Sequence, residues 1–514
     1  MKKIIKTLLI SVVVFGMNSC TEEKILDLSP VNNISENDAF STPSLIESSM
    51  NGVYNAAAIG QYTSTSPNGG RGYVWGAAFV EQGDNRGEDV VNTASFYQLT
   101  YTTTYDPTTA NNVYYWVDGY RLINRCNLMI EGVTAAVAKG TITAAVGNNY
   151  IGQAKFLRAI THFELLNYFA RPYNFSSGAT HLGIPYREVG VNTQAEIDSE
   201  TAKPRNTVAE CYTKILDDLT FAENNITSTI IAKASKNAAI AFKTRVYLHK
   251  RDWANVIVEG NKLTSSYTLT ASPNTPFASN LSNTESIFSI QHSATSNPGV
   301  NAALASMYKG RTLVCISPII WRDPSWLADD KRREEGVMIA TVSGVKYTNK
   351  YKDVTNFTDA APVIRYAEVV LNMAEAKARL STPDLAGALT LLNSVRNRSL
   401  ASPSTQAYTS STLSTQVDMV NAILKERRIE FLAEGRRWSD IQRLQNDDIA
   451  PINGIPAKIA NAMPAAALFT LGTPYTGPYG VPAILSSDYR VLWPIPQIEL
   501  IANPTLAAQQ NPGW

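Results

Sequence analysis

The densest group of side chains able to do acid–base or metal chemistry is Glu81-Gln82-Gly83-Asp84-Asn85-Arg86-Gly87-Glu88-Asp89. Carboxylates this close together suit a surface acidic loop, hydrogen bonds to a ligand, or oxygen donation to calcium, although the alternating spacing of an EF-hand loop is missing. Two facing carboxylates would also suit glycoside hydrolysis, but that depends on their separation in space. The four histidines, His162, His181, His249 and His292, do not form the i, i+4 pair with glutamate of a zinc protease. His162 and His249 fall inside helical patterns, where a partnered, partly buried imidazole is expected. No GxSxG, Walker A or strand-linked GxGxxG arrangement stands out. The expectation is a protein with no catalytic residues, no metal site and no cofactor.

Binding is better supplied. Sugars present flat apolar faces ringed by hydroxyls, so a site for them needs an aromatic platform beside polar or charged groups. Tyr73, Trp75, Asp84 and Arg86 supply both in one stretch, and Tyr308, Arg311, Trp321, Arg322 and Trp326 supply both in another. These nine are the candidate ligand-binding residues. The competing expectation is that their rings form the small core of the segments that carry them. Tyrosines outnumber phenylalanines, 24 to 15, which suits rings kept near water. A formal net charge of +1 argues against nucleic-acid or anionic-membrane binding through a basic surface.

The elements that must position these residues are of two kinds. Helical periodicity marks Asn112 to Gly132, Tyr150 to Phe169, Thr207 to Asn225, Ala238 to Lys250, Trp253 to Leu263, Pro362 to Leu380 and Leu385 to Arg396, after an opening helical stretch from Ser35 to Ala58. Several come in pairs that resemble the tetratricopeptide pattern, with small residues at the approach and Tyr247 and Trp253 filling a gap. Between them lie Gly-, Ser-, Asn- and Pro-rich stretches of loop and short strand, Ser286 to Ile290 being the clearest strand. The chain is expected to be mostly α, with a tetratricopeptide-like helix-pair scaffold over residues 35–58, 111–264 and 361–445. An irregular loop and short-strand lobe is expected over 59–110, 265–360 and 446–514, the whole of 35–514 making one discontinuous domain. Loops this long are uncommon unless they carry function.

One stretch stands apart in charge. Ten of the nineteen residues from Lys425 to Arg443 are charged in a chain that is 17% charged. Leu424, Phe431, Trp438 and Ile441 recur at helical spacing, which predicts one amphipathic helix from Ile423 to Leu444. On it Arg427 and Glu430, Glu434 and Arg437, and Arg436 and Asp440 would meet as surface pairs contributing roughly 0.2–0.5 kcal/mol each.

The wording of that stretch, Glu426-Arg427-Arg428, Glu430-Phe431, Glu434-Gly435-Arg436-Arg437-Trp438 and Asp440 to Arg443, closely resembles the ERR-x-EF-x-x-EG-x-RW-x-D-x-x-R signature of the SusD/RagB family. Ala154 to Ala159, Val363 to Glu368 with Ala374-Glu375-Ala376, Leu392 to Arg396, Trp493 to Pro496 and Asn511 to Trp514 resemble further elements of the same family, in the same order. At the N-terminus, Lys2, Lys3 and Lys6 precede an apolar run from Leu8 to Phe15, the layout of a secretory signal. Gly16-Met17-Asn18-Ser19-Cys20 then resembles a bacterial lipobox. This predicts a signal peptide over 1–19, a lipid on Cys20 and a tether over 20–34. Cys126, Cys211 and Cys315 have the irregular spacing of buried thiols.

The resemblance implies a lipoprotein on the extracellular face of the outer membrane that binds an oligosaccharide and delivers it to a SusC-like TonB-dependent transporter, without enzymatic activity. Peptide capture on the same fold, as in RagB-like relatives, is the alternative; a secreted hydrolase and a pure interaction scaffold are the remaining ones. The charged stretch is assigned to architecture.

Overall fold

The structure is a computed structural model describing residues 36–60 and 70–514. The signal peptide, Cys20 and the tether lie outside the described residues.

The helices begin where short hydroxyl side chains satisfy the first free backbone donors. Thr42, Thr143, Thr207 and Ser235 each accept a hydrogen bond from the N–H three residues on. The helices that frame the molecule are α1 (Pro43–Ile59), α2 (Ala77–Asn85), α3 (Ala110–Ala138), α4 (Ala144–Phe169), α5 (Val208–Asn225), α6 (Lys236–Lys250) and α7 (Trp253–Asn261). The series continues with α8 (Tyr366–Arg379), α9 (Leu385–Asn397), α10 (Gln416–Glu430) and α11 (Arg437–Arg443). α1 packs on α3, and successive neighbours from α3 to α7 pack on one another; α7 then packs on α8, and α8 and α9 together receive α10. Each helix covers the apolar face of the next, as a stacked helical frame requires.

Among the described residues six short strands pair antiparallel in twos: β1 (Val90–Asn92) with β3 (Val314–Ile316), β2 (Ser286–Ile290) with β6 (Ala361–Arg365), and β4 (Ile339–Val342) with β5 (Val345–Thr348). Val91 sits opposite Cys315, and Ser286 opposite Arg365. The protein is mostly helical, as the periodicity predicts.

Three segments differ from their expected form. The segment from Gly60 to Ala110, expected as loop and short strand, contains α2 and a short helix over Gln98–Thr102. The helix expected from Pro362 begins at Tyr366, because Pro362, Val363 and Ile364 extend as β6 against β2. The helix expected from Ile423 to Leu444 is broken between Glu430 and Arg437. Ala433 and Gly435 take φ of 63° and 73°, which no continuous helix accommodates. The break lets α2 approach: a Cβ on Gly435 would stand 2.9 Å from Val80 Cα, and one on Gly83 2.3 Å from the Gly435 carbonyl oxygen.

That break also redirects the charges. Most charged side chains of the signature are buried, Arg428 and Arg437 partly, and most of their partners come from other segments, although Asp440 also meets Arg443 on its own helix. Glu430 pairs with Arg332, Arg365 and Arg398, and Glu434 with Lys350 and Arg365. Asp440 pairs with Arg427 and Arg443, and Arg436 lies 3.5 Å from Glu164. The expected surface ladder is therefore a set of buried clamps between α10, α11, β6 and the ends of α4 and α9.

Cys126, Cys211 and Cys315 are buried free thiols. His162 is buried with both ring nitrogens engaged, Nδ1 at 3.0 Å from the Arg158 carbonyl and Nε2 at 3.1 Å from the Arg187 amide. Burial and the adjacent Arg158 push its pKa down to about 3. His249 is buried as well and reaches Ser439 Oγ at 2.9 Å, but its Nδ1 has no partner.

Candidate ligand site

The residues expected to present rings to a ligand are, in the main, core. Tyr73, Trp75, Tyr308, Trp321 and Trp326 are all less than 5% exposed. Trp75 donates its indole N–H to Thr161 Oγ1 at 3.0 Å and packs on Phe79; Tyr73 donates to Asn111 Oδ1 at 3.1 Å. Trp321 donates to the Phe469 carbonyl at 3.1 Å and meets Trp326 edge to face, with the Arg333 guanidinium 4.4 and 4.0 Å from their rings. Tyr308 stacks on Tyr351. The short strands of the described residues leave little regular sheet to bury, so aromatic side chains supply apolar area instead.

Asp84 and Arg86 are buried too, and so is the rest of the acidic cluster, which is therefore not a surface loop. Asp84 accepts from the Gly435 amide at 3.0 Å and from the Tyr308 hydroxyl. Glu88 meets Arg437 at 2.6 Å, and Asp89 pairs with Arg428. The space bordered by Asp84 and Asp89 is about 10 Å³, too small for a sugar ring. Arg86 sits among Trp438, Trp493, Tyr105 and Tyr168 with its guanidinium 3.9 Å from the Trp438 ring. Of the nine expected site residues, Arg311 is exposed and Arg322 half-buried. Arg311 bonds Asn301 at 2.8 Å, and Arg322 bonds the Thr473 carbonyl at 2.7 Å beside Tyr475. The structure does not gather the nine around one opening.

Burial raises the Asp84 pKa to about 7, against the hydrogen bonds from Tyr308 and Gly435 that favour the carboxylate. A carboxyl with a raised folded-state pKa binds its proton more tightly when folded. Its contribution to stability is then complete below the unfolded value near 4 and lost as pH rises through 7. The stability of the wild-type protein relative to an Asp84→Asn variant is accordingly expected to fall between pH 4 and 7. Urea unfolding of both proteins across that range checks this, and parallel curves would contradict it.

Among the described residues an opening that retains unengaged polar groups lies elsewhere, at the seam between the helical frame and the strand-bearing segments. It is a cavity of about 430 Å³, within the size range of ligand pockets. α1 contributes Asn51, Tyr54, Asn55 and Ala58; the connection from α5 to α6 contributes Ile230, Ala232 and Lys233; β2 and the turn after it contribute Ile290, Gln291, His292, Ser293 and Ser296. Asn51 and Asn55 share a face because they are one helical turn apart. β2 is held to the second wall by the Ser289 amide, which donates to the Ile231 carbonyl at 3.0 Å.

Some lining groups fix the walls. The Tyr54 hydroxyl donates to Gln153 and accepts from the Ala234 amide, both at 2.8 Å. Asn55 bridges to Ser296 Oγ at 2.7 Å, and His292 Nδ1 lies 2.8 Å from the Asp359 carbonyl. Burial lowers the His292 pKa, so its neutral form is favoured. Others are unengaged: within the described residues the side chains of Asn51, Lys233 and Gln291 make no hydrogen bond or ion pair. Apolar floor and free donors and acceptors stand together, the combination a hydroxyl-rich ring requires.

In two other cavities the charged lining groups are engaged within the protein. A pocket of about 190 Å³ beside α3 is lined by Asn124, Asn127, Arg187, Glu200 and Glu499, each bonded within the protein. One of about 530 Å³ beside α10 is lined by Lys425, Arg428, Arg437 and Asp440, all in ion pairs. The residues of the seam cavity were missed in the sequence because no motif marks them. The signals available were the amides Asn51 and Asn55 one turn apart and the polar run Gln291-His292-Ser293 ending a strand.

Among the described residues no helix is long and apolar enough to cross a membrane. Two family models match the chain, one described as "SusD family" over residues 323–514 and one as "Starch-binding associating with outer membrane" over residues 24–248. SusD-like protein P2 of Formosa agariphila is 25% identical over 452 residues, covering 78% of this chain and 80% of its own length. SusD-like protein P38 of the same organism is 23% identical, covering 88% and 94%. Among solved structures, a SusD superfamily protein from Bacteroides fragilis superposes with a TM-score of 0.73 at 27% identity, covering 91% of this chain and 99% of that one. A putative sugar binding protein from Bacteroides vulgatus superposes with a TM-score of 0.69 at 25% identity, covering 92% and 99%.

Proposed function

Because this chain belongs to the SusD family, we propose that it captures an oligosaccharide in the seam cavity and passes it to a SusC-like TonB-dependent transporter in the outer membrane. In this reading a lipid on Cys20 holds the protein at the extracellular face. Residues 35–514 act as one discontinuous domain, consistent with a single apolar cluster that runs from Ile46 to Leu506. The helical frame supplies the transporter contact.

The observation that carries the reading is a cavity lined both by the unengaged Asn51, Lys233 and Gln291 and by the apolar Ala58, Ala232 and Ile290. An amide offers donors and an acceptor together, which matches vicinal hydroxyls, and sugar C–H faces pack on the floor. Binding is reversible, and release to the transporter needs no covalent step.

The test is calorimetric titration of an oligosaccharide panel against protein lacking Met1 to Ser19, with a peptide panel in parallel. Asn51→Ala, Asn55→Ala and Gln291→Ala each remove hydrogen bonds of about 0.5–1.5 kcal/mol, so each is expected to weaken binding up to about tenfold. Retention of full affinity in the triple variant would move the site elsewhere. Binding of peptides without any saccharide would replace the cargo, and purification without a co-isolated transporter after mild cross-linking in cells would remove the partner.

A further inference from the structure

Resting on that reading, we infer that the seam cavity selects an acidic oligosaccharide, one carrying carboxylate or sulfate groups, and that Lys233 is the residue that reads the charge. Lys233 lines the cavity half-buried, and within the described residues it has no carboxylate partner and no hydrogen bond from its ammonium. That sets it apart from the cations lining the cavities beside α3 and α10, where Arg187, Lys425, Arg428 and Arg437 are all neutralised.

Among the described residues the lining of the seam cavity contains no aspartate or glutamate. Asp359, whose carbonyl meets His292 of the lining, commits its carboxyl to the amides of Lys352 and Asp353. Among the described residues the cavity thus holds an uncompensated positive charge, and the unengaged amides of Asn51 and Gln291 line it too. A carboxylate or sulfate has acceptors for all three, whereas a neutral ring leaves the ammonium without a counter-charge. The whole chain carries a net charge of +1, so there is no general attraction for polyanions. The preference is a short-range property of this wall, within a screening length of about 8–10 Å.

The test titrates three oligosaccharides of matched length into the protein lacking Met1 to Ser19: an oligogalacturonate, a sulfated galacto-oligosaccharide and maltohexaose. One acidic ligand is expected to bind at least about tenfold tighter than the neutral one, and which of the two does so identifies the anion. Lys233→Gln is expected to lower that affinity about 10- to 100-fold and flatten its salt dependence, Lys233→Arg to retain most of it. The half-exposed turn position leaves the thermal unfolding of both variants unchanged. Acidic ligands binding no tighter than maltohexaose, or unaffected by Lys233→Gln, would overturn this inference and leave oligosaccharide capture standing. Failure of every saccharide in the wider panel would instead overturn the capture reading itself.

Discussion

Replacing Glu430 with glutamine is expected to destabilise the protein by about 3–5 kcal/mol, the cost of removing one partner from a buried ion-pair group. Glu430 Oε1 lies 2.7 Å from Arg365 and 2.5 Å from Arg398, and Oε2 lies 2.9 Å from Arg332. Around it, Asp330, Glu285, Glu426 and Glu434 complete a set of five carboxylates facing Arg332, Lys350, Arg365, Arg396 and Arg398. The cluster is electroneutral and buried. Those arginines hold the Glu430 carboxyl well below the usual carboxylate range. Glutamine keeps the shape and deletes the charge, so it leaves one buried cation without a counter-charge. Urea unfolding followed by fluorescence measures the loss. A second substitution, Arg398→Gln, restores neutrality and is expected to return part of it in a double-mutant cycle. A loss under about 1 kcal/mol for Glu430→Gln, typical of an exposed pair, would show that the cluster does not bind the segments together.

Arg86→Ala is expected to be comparably costly, about 3–5 kcal/mol, because it empties a space walled by four rings as a large core truncation does. The guanidinium lies 3.9 Å from the Trp438 ring centre and 5.1 Å from that of Trp493, and it donates to Tyr105 at 3.0 Å and to the Val491 carbonyl at 2.7 Å. It joins α2 to the C-terminal segment and to α11 in one contact set. Arg86→Met keeps most of the volume and removes the charge; its cost combines about 2 kcal/mol of desolvated cation–π attraction with the loss of the bonds to Tyr105 and the Val491 carbonyl. Near-ultraviolet circular dichroism should report loosening of Trp438 and Trp493. Arg86 does not line the seam cavity, so oligosaccharide affinity per folded molecule is expected to stay at the wild-type value. A selective loss of binding with unchanged stability would return Arg86 to the ligand site. The same logic holds for Trp75, Trp321 and Trp326, whose truncation is expected to lower stability first.

These two residues also measure what was readable in advance. The helical frame was legible because capping and 3.6-residue periodicity are local: Thr207 and Glu210 make a capping box across three residues, and α5 starts where that box predicts. The architectural role of the charged stretch was legible from its resemblance to the SusD/RagB signature. Its pairing was not, since Glu430 meets Arg398, Arg365 and Arg332 at sequence separations of 32, 65 and 98 residues. Neither was the helix break at Ala433 and Gly435, where α2 packs from about 350 residues upstream.

By itself, then, the sequence determined a mostly helical member of a recognisable family, without a motif for catalysis, because those features are written in short-range spacing and wording. Tertiary structure alone decided which rings lie inside, which charges neutralise one another and where an opening remains. A tryptophan in a loop looks the same whether solvent or another segment covers it, and burial depends on what packs against it from far along the chain. The ligand cavity belongs to the second kind: its three walls are separated by more than 170 and about 60 residues in the chain, and they become one site only when α1, the α5–α6 connection and β2 are brought together.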